Sequence, residues 1–291
     1  MKDKNKLSNG FSILDLGDKF YDLIPKLDIV SGKYTGTMHS RDKDLINLHA
    51  YLLNSEVLIP VTGGIGNNLF IIAFGRWLRT FGVSVTFVDR TVHGSQTLDF
   101  IKDKTGETLY DNKKFNLGKL AFTHLNEPYY VLRQCLIDGK QTLACWYPKL
   151  RCFMQWDPIA LKDEIAINIR RGDFLKPNIK NKKPCFTDLC ETKYYANVAK
   201  KCKELNLPVR IISDEPDTIP KSITRLFPSA EVTHGTFEED FYKFAECRYK
   251  FISNSTFVCW ASYATPDATV FYPKGTIDNL VLDKWIGIDI A

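Results

Sequence analysis

The sequence predicts an α/β protein of two parallel-sheet domains with a cleft between them. Three observations carry this. A rhythm of short apolar run, glycine or polar turn and helical pattern begins at residue 56 and begins again at Ile165. An aromatic-rich stretch without clear period, residues 100–155, separates the two runs. The length of 291 residues is about twice that of a usual domain. Strands alternating with helices imply parallel sheets covered on both faces. The expected division is an accessory segment at 1–55, a first α/β domain at 56–158 and a second at 159–291, whose last residues could cross back.

In the first run, residues 57–61 read as a strand and 62–68 as a turn. Pro60 cannot donate to a ladder, so the strand is expected to end early or bend there. Phe70, Ala73, Phe74, Trp77, Leu78 and Phe81 then recur at helical spacing, a wide apolar stripe closed by Gly82. Residues 83–88 read as the next strand. In the second run, 165–169 is a strand, and Tyr195, Val198, Ala199 and Cys202 mark a helix. Residues 209–212 form a strand closed by Ser213-Asp214-Glu215-Pro216. Beyond it, 238–248 reads as helix, 249–252 as strand, 255–263 as helix and 268–272 as strand.

Composition narrows the function classes. Lys plus Arg exceeds Asp plus Glu by only five, 39 against 34. That excess is too small to argue for nucleic acid by itself and is compatible with an anionic small substrate, so charge balance alone does not choose between them. Residues 1–10 are polar and lack the apolar stretch of a secretory signal. No stretch of 18 apolar residues occurs to span a bilayer. The eight cysteines include no Cys-x-x-Cys pair, so packed free thiols in a reducing compartment are expected, together with a soluble, cytoplasmic protein.

Three motifs could carry chemistry. Gly63-Gly64-Ile65-Gly66-Asn67-Asn68 lies between a strand and a helix, where glycines let backbone approach a ligand and the helix N-terminus favours an anion. A simple tight turn also satisfies this motif, for no Gly-Lys-Ser/Thr follows and the spacing is not G-x-G-x-x-G. Arg170-Arg171-Gly172-Asp173 follows the apolar run 165–169, beyond the carboxyl end of a strand, where open α/β sheets bind ligands. Arginine's planar fork suits phosphate, and Asp173 could pair with an arginine or act as a base. Ser253-Asn254-Ser255-Thr256-Phe257 links a strand to a helix, as an ordinary cap or a second phosphate cradle. Asp240 could accept the donor pair of a guanine, or be solvated. A further signal is negative. Asp42-Lys43-Asp44 is the one Asp-x-Asp and lies in a polar stretch, so a diphosphate would be neutralised by arginine and helix N-termini, with the basic loop 176–183 available for steering.

The order of these motifs resembles the alpha-1,2-fucosyltransferase family. Gly63 to Phe70 with Ala73-Phe74 and Arg76 is similar to its opening signature, and Arg170-Arg171-Gly172-Asp173-Phe174 to its His-x-Arg-Arg-Gly-Asp-Tyr motif. Tyr194-Tyr195-Ala196, Ile212-Ser213-Asp214-Glu215 and Asn254-Ser255-Thr256-Phe257 with Trp260-Ala261 and Tyr272-Pro273-Lys274 follow in the family's order, over about 56–287.

The resemblance implies a GT-B fold, with two Rossmann-like domains facing each other. It implies metal-independent, inverting transfer of L-fucose from GDP-fucose to a glycan acceptor, usually to the 2-hydroxyl of galactose. GDP-fucose enters as donor substrate, and no cofactor is expected. By the same resemblance Arg170 would contact the β-phosphate; Asp173, beside it, is taken as the candidate base from its place in the motif and not from the resemblance. Asn168, Arg171, Asp214, Asn254, Ser255, Thr256 and the Phe257 N–H would line the donor site, with Asp240 toward guanine and Gly64, Gly66 and Asn67 closing over the sugar. Departures bear on this. Asn168 replaces the family's histidine and cannot take a proton. Trp146-Tyr147-Pro148-Lys149 has proline where the family has glutamine, on the acceptor side. The alternatives are another GDP-sugar or acceptor, or a binding module without catalysis.

Overall fold

The structure is a computed structural model that describes residues 27–28, 33–34, 56–61, 64–80, 84–89, 95–111, 150–175 and 186–291. Segment 1–55 apart from four residues, Asp42-Lys43-Asp44, Gly63, the acceptor-side segment 146–149 and the basic loop 176–183 lie outside the described residues. The chain divides into two compact units, one of residues 1–63 and 68–154, the other of residues 64–67 and 155–291. Both are α/β with parallel sheets.

In the first unit, β1 (Glu56–Val61), β2 (Ser84–Asp89) and β3 (Leu109–Asp111) form a parallel sheet in that order. Helix α1 (Ile65–Arg79), whose first residues 65–67 group with the second unit, and α2 (Ser95–Thr105) are the crossovers. Pro60 neither ends nor bends β1: the ladder runs through Pro60↔Val88 to Val61↔Asp89. Among the described strands β1 is an edge, and an edge strand tolerates a proline whose missing N–H points away from the ladder. Helix α1 begins at Ile65, so residues 65–68, expected as turn, are already helical. Its Gly75 has no room for a side chain, since a Cβ there would stand 2.4 Å from the Phe87 ring of β2. Arg76 is spent internally, donating to Glu107 (2.9 Å) and to the Phe153 carbonyl (3.0 Å). Helix α2 and β3 lie within or beside the stretch that periodicity leaves unassigned.

The second unit is built on a six-stranded, all-parallel sheet. Its strands are β4 (Lys162–Ile169), β5 (Val209–Ser213), β6 (Glu231–Thr233), β7 (Cys247–Phe251), β8 (Thr269–Pro273) and β9 (Ile286–Ile288). Their spatial order, β6-β5-β4-β7-β8-β9, is the doubly wound order 3-2-1-4-5-6. The chain runs outward from β4 to one edge, then returns to β7 and runs outward to the other. The winding reverses between β4 and β7.

Alternation along the central strands makes two cores. Ile165, Ile167 and Ile169 of β4 and Phe251 of β7 cluster with Tyr194, Tyr195 and Val198 of helix α3 (Tyr194–Leu205), and Phe251 stacks on Phe271 at 4.5 Å. Each such side chain, once buried, contributes about 1.5–3 kcal/mol. Helix α3 ends where Asn206 adopts φ 51 and donates its N–H to the Cys202 carbonyl, a left-handed cap. Helix α4 (Phe237–Ala245) starts on a capping box in which Thr236 and Glu239 each accept the other's N–H. It stops at Ala245, short of the expected Arg248, because Cys247 is taken into the sheet opposite Lys162. Phe241 of α4 meets Phe257 of helix α5 (Thr256–Tyr263) edge-on at 5.8 Å and stacks on Trp156 at 4.9 Å. Strands β6 and β9, which apolar runs do not signal, are three-residue edges with exposed Val232 and Ile286.

Lys250 of β7 alternates with Phe251 and faces the opposite way, fully buried, against the Thr265 hydroxyl just beyond α5. Burial lowers its ammonium pKa from 10.5 to about 7. At Lys250 the unfolded chain therefore holds a proton that the folded chain has lost between about pH 7 and 10.5, so this group's contribution to stability rises with pH through that window. Thr265 still donates to the Ala261 carbonyl without its lysine. Lys250→Met is expected to raise the melting temperature more at pH 6.5 than at pH 9. An equal shift at both would show that Lys250 titrates normally.

Candidate functional site

Strand β4 ends in a turn that holds two cations side by side. Immediately after Ile169 come Arg170 and Arg171, then a 3₁₀ turn at Gly172–Leu175. Gly172 sits at φ 35, and a Cβ there would meet Asp214 Oδ2 at 2.4 Å. Asp214, just past β5, is the post around which the turn is moulded. Its Oδ1 accepts the Arg171 N–H (2.8 Å) and its Oδ2 pairs with Arg170 Nη1 (2.9 Å). Arg171 turns to a different carboxylate: its Nη1 donates to both oxygens of Asp188, at 2.9 and 2.8 Å. The Arg171 side chain is 8% exposed and the Arg170 side chain 30%. Burial, the largest single influence, pulls the Arg171 pKa down, but the hydrogen bond and charge of Asp188 together with the neighbouring Cys190 outweigh it and the net direction is up. The neighbouring Cys190 thiol is pushed up to about 12 by burial, and so is neutral.

Asn168, the last inward residue of β4 but one, is a tie between strands. Its Nδ2 donates to the Ile212 carbonyl of β5 (3.1 Å) and its Oδ1 accepts from Ser253 Oγ beyond β7 (2.5 Å). Tyr195 donates to the Asn168 carbonyl (2.9 Å) and Tyr194 to that of Ile252 (2.6 Å), so α3 holds the carboxyl ends of both central strands. Burial raises both phenol pKa values well above 10, keeping them as donors.

The other lip of the crevice is the β7–α5 connection. Ser255 stands at the N-cap of α5 with its side chain making no capping hydrogen bond. An α-helix start without a side-chain cap presents backbone N–H groups and the positive end of the dipole. Asn254 Nδ2 donates to the Thr187 carbonyl (3.0 Å). Within the same unit, residues 64–67 meet this helix start. Thr256 Oγ1 donates to Asn67 Oδ1 (3.1 Å) and Trp260 Nε1 to the Gly66 carbonyl (2.9 Å). A Cβ on Gly66 would stand 2.4 Å from the Phe257 nitrogen, so glycine is required there for close approach of two backbones. Gly64, by contrast, has open space around it.

Asn168, Arg170, Arg171 and Asp214 are thus joined to one another at the β4–β5 ends. Asn254 reaches the same cluster through 187–188, and Gly66 and Asn67 gather on Thr256 and Phe257. Asp240 is held elsewhere, on the first turn of α4 beyond β6. Its Oδ1 accepts the Gly235 N–H (2.9 Å) and its Oδ2 lies 3.6 Å from His234 Nδ1. Burial raises its pKa, opposed by the Gly235 N–H and the His234 ring. The Asp173 side chain lies outside the described residues. Asp188 and Ser253 belong to the site's framework, though the sequence singles out neither as a ligand-binding residue. Asp188 lies past the basic loop with no periodic signal, whereas Ser253 stands inside one of the three motifs. Five cysteines, at 152, 190, 202, 247 and 259, are free thiols among the described residues. No described helix is long and apolar enough to cross a membrane.

Residues 151–281, which carry this geometry, match the model of glycosyl transferase family 11. No curated protein matches the chain. Among solved structures, the dodecameric iron-containing heptosyltransferase TibC, in complex with ADP-D-beta-D-heptose, is 11% identical with a TM-score of 0.46. That alignment takes in 80% of this chain and 61% of the other, so the chain spans about three-fifths of the TibC length. The E. coli heptosyltransferase WaaC with ADP-2-deoxy-2-fluoro heptose is 10% identical with a TM-score of 0.39, over 80% of this chain and 93% of that one. The same enzyme with ADP gives 9% and 0.40, over 81% and 93%.

Gly66→Ala forces a methyl against backbone that cannot swing aside, and overpacking of this kind costs about 1–3 kcal/mol. The variant is expected to melt lower and to lose hydrogen-exchange protection at the buried Trp260 indole N–H, which donates to the Gly66 carbonyl. Gly64→Ala is the control and should change neither. Equal effects of the two would show that residue 66 does not touch α5.

Proposed function

With residues 151–281 as a glycosyl transferase family 11 domain, we propose that the chain transfers L-fucose from GDP-fucose to a sugar hydroxyl. The acceptor group is the 2-hydroxyl of a galactose-like unit, and the reaction inverts configuration without a metal ion. The family match supports glycosyl transfer. The choice of a nucleoside diphosphate sugar rests on one observation. At the reversal point of the six-stranded sheet, Arg170 follows β4 and the start of α5, free of a side-chain cap, follows β7. Doubly wound sheets bind their ligands outside the carboxyl ends of the strands at this point.

The chemistry follows from what must be stabilised. As the acceptor oxygen attacks the anomeric carbon, the bond from that carbon to the β-phosphate oxygen breaks and GDP leaves with the electron pair. Attack from the face opposite GDP inverts the centre. Charge develops on the β-phosphate, where the Arg170 guanidinium and the N–H groups of Thr256 and Phe257 are donors suited to an oxyanion. Asp214 pairs with Arg170 while leaving it the more exposed of the two arginines. Ser255 and Asn254 add polar groups at the same helix start. In this reading Asn168 and Arg171 serve the site through the strand ends, Asp240 faces the guanine, and Gly64, Gly66 and Asn67 border the sugar. Asp173 accepts the acceptor's proton.

Calorimetric titration with GDP and GDP-fucose, with and without EDTA, tests the donor. Binding that EDTA does not change is expected. No heat at millimolar GDP would overturn the donor assignment, and EDTA-sensitive binding would overturn the metal-free reaction. Donor-hydrolysis assays across several GDP-sugars then identify the sugar. Arg170→Ala is expected to reduce turnover about 100- to 1,000-fold. An unchanged rate would remove Arg170 from the site.

A further inference from the structure

Two adjacent guanidinium groups at the end of one strand are unequal here. Arg170 is partly exposed, and Arg171 is buried against a carboxylate that is itself 15% exposed. Asp188 is doubly held. Besides both bonds from Arg171 Nη1, its Oδ1 accepts the Cys190 N–H at 2.9 Å, fixing it at the head of its own 3₁₀ turn, Leu189–Glu191. The residue before it, Thr187, accepts from Asn254 at the start of the β7–α5 connection. Residues 187 and 188 therefore brace both lips of the crevice, Arg171 on one side and Asn254 on the other.

We propose that Asp188 is a positioning residue for the anion site. By compensating Arg171 it makes that arginine the anchor of the turn and leaves Arg170 as the cation presented to ligand. The proposal rests on the reading that this crevice takes a nucleoside diphosphate. The electrostatic argument is direct. A buried guanidinium that loses its carboxylate is uncompensated, and breaking such a pair from one side is strongly destabilising. Cys190, which also interacts with Arg171, is held as a neutral thiol by burial and supplies no replacement charge. Relief comes from Arg171 leaving its pocket, which pulls on its own backbone N–H bond to Asp214 and, through Asp214, on Arg170. Asp188 thus acts on the ligand through two arginines and touches neither phosphate nor sugar.

A double-mutant cycle in the full chain, read by GDP affinity at a temperature where every variant is folded, tests this. Asp188→Asn and Arg171→Met are each expected to weaken GDP binding about tenfold, and the double variant to lose no more than the weaker single. Asp188→Glu should regain part of the loss. Additive losses would overturn the proposal, because they mean that one of the two meets ligand independently. A lowered melting temperature with GDP affinity unchanged would also overturn it, leaving only a structural brace. Phenylglyoxal labelling without nucleotide, read by peptide mass, gives a second readout. Wild type should be modified at Arg170 and spared at Arg171, and Asp188→Asn should be modified at both. Equal modification of both in wild type overturns the anchor assignment. Should wild type bind no GDP, the donor assignment falls, and labelling still decides whether Asp188 secludes Arg171.

Discussion

Two guanidinium groups on consecutive residues repel one another, and this fold keeps them side by side by giving each a carboxylate, Asp214 to Arg170 and Asp188 to Arg171. That constraint organises the second unit at the carboxyl end of β4. Asp214 must stand at the end of β5 to meet Arg170 and the Arg171 N–H, which in turn excludes any side chain at Gly172. Asp188 must be carried to Arg171 by a segment arriving from outside the sheet. With each charge assigned, the turn becomes rigid and asymmetric. One arginine belongs to the interior and one to the surface.

The sheet beneath makes this possible. Reversal of winding between β4 and β7 leaves the ends of two central strands adjacent, and Asn168 stitches them by using both ends of its amide. An imidazole has two ring nitrogens where the amide has an NH₂ group and a carbonyl oxygen. Asparagine here is therefore a bridging group suited to a carbonyl on one side and a hydroxyl on the other. From the opposite face, the tyrosine pair of α3 pins both strand ends through backbone carbonyls. Rigidity at the strand ends is what lets a few polar groups on short connections serve as a preorganised site.

Much of this is legible in the residues. The apolar run ending at Ile169 places Arg170 at a strand's carboxyl end, and helical spacing finds α1, α3 and α5 within a few residues. Errors have local causes. Gly66 reads as a turn former, yet it sits in the first turn of a helix because α5 backbone lies where its side chain would be. Cys247 and Arg248 continue a helical pattern, but pairing with Lys162 draws Cys247 into β7. Strands β6 and β9 are too short and too exposed to write an apolar run. Asp188 is illegible for a deeper reason. Its partner is fixed by the fold's connectivity, and nothing in the spacing of an isolated aspartate names the arginine it will meet.

Ligand binding at the point where the sheet's winding reverses is the premise on which donor, arginine roles and helix start all depend. Hydrogen–deuterium exchange of the full chain with and without saturating GDP reads that location without altering a residue. Protection is expected at 170–173 and at 254–257, the two connections that follow β4 and β7, with little change at the opposite, amino-terminal ends of the same strands. Protection confined to other segments, with those two connections exchanging as fast as before, would place the ligand elsewhere and overturn the premise.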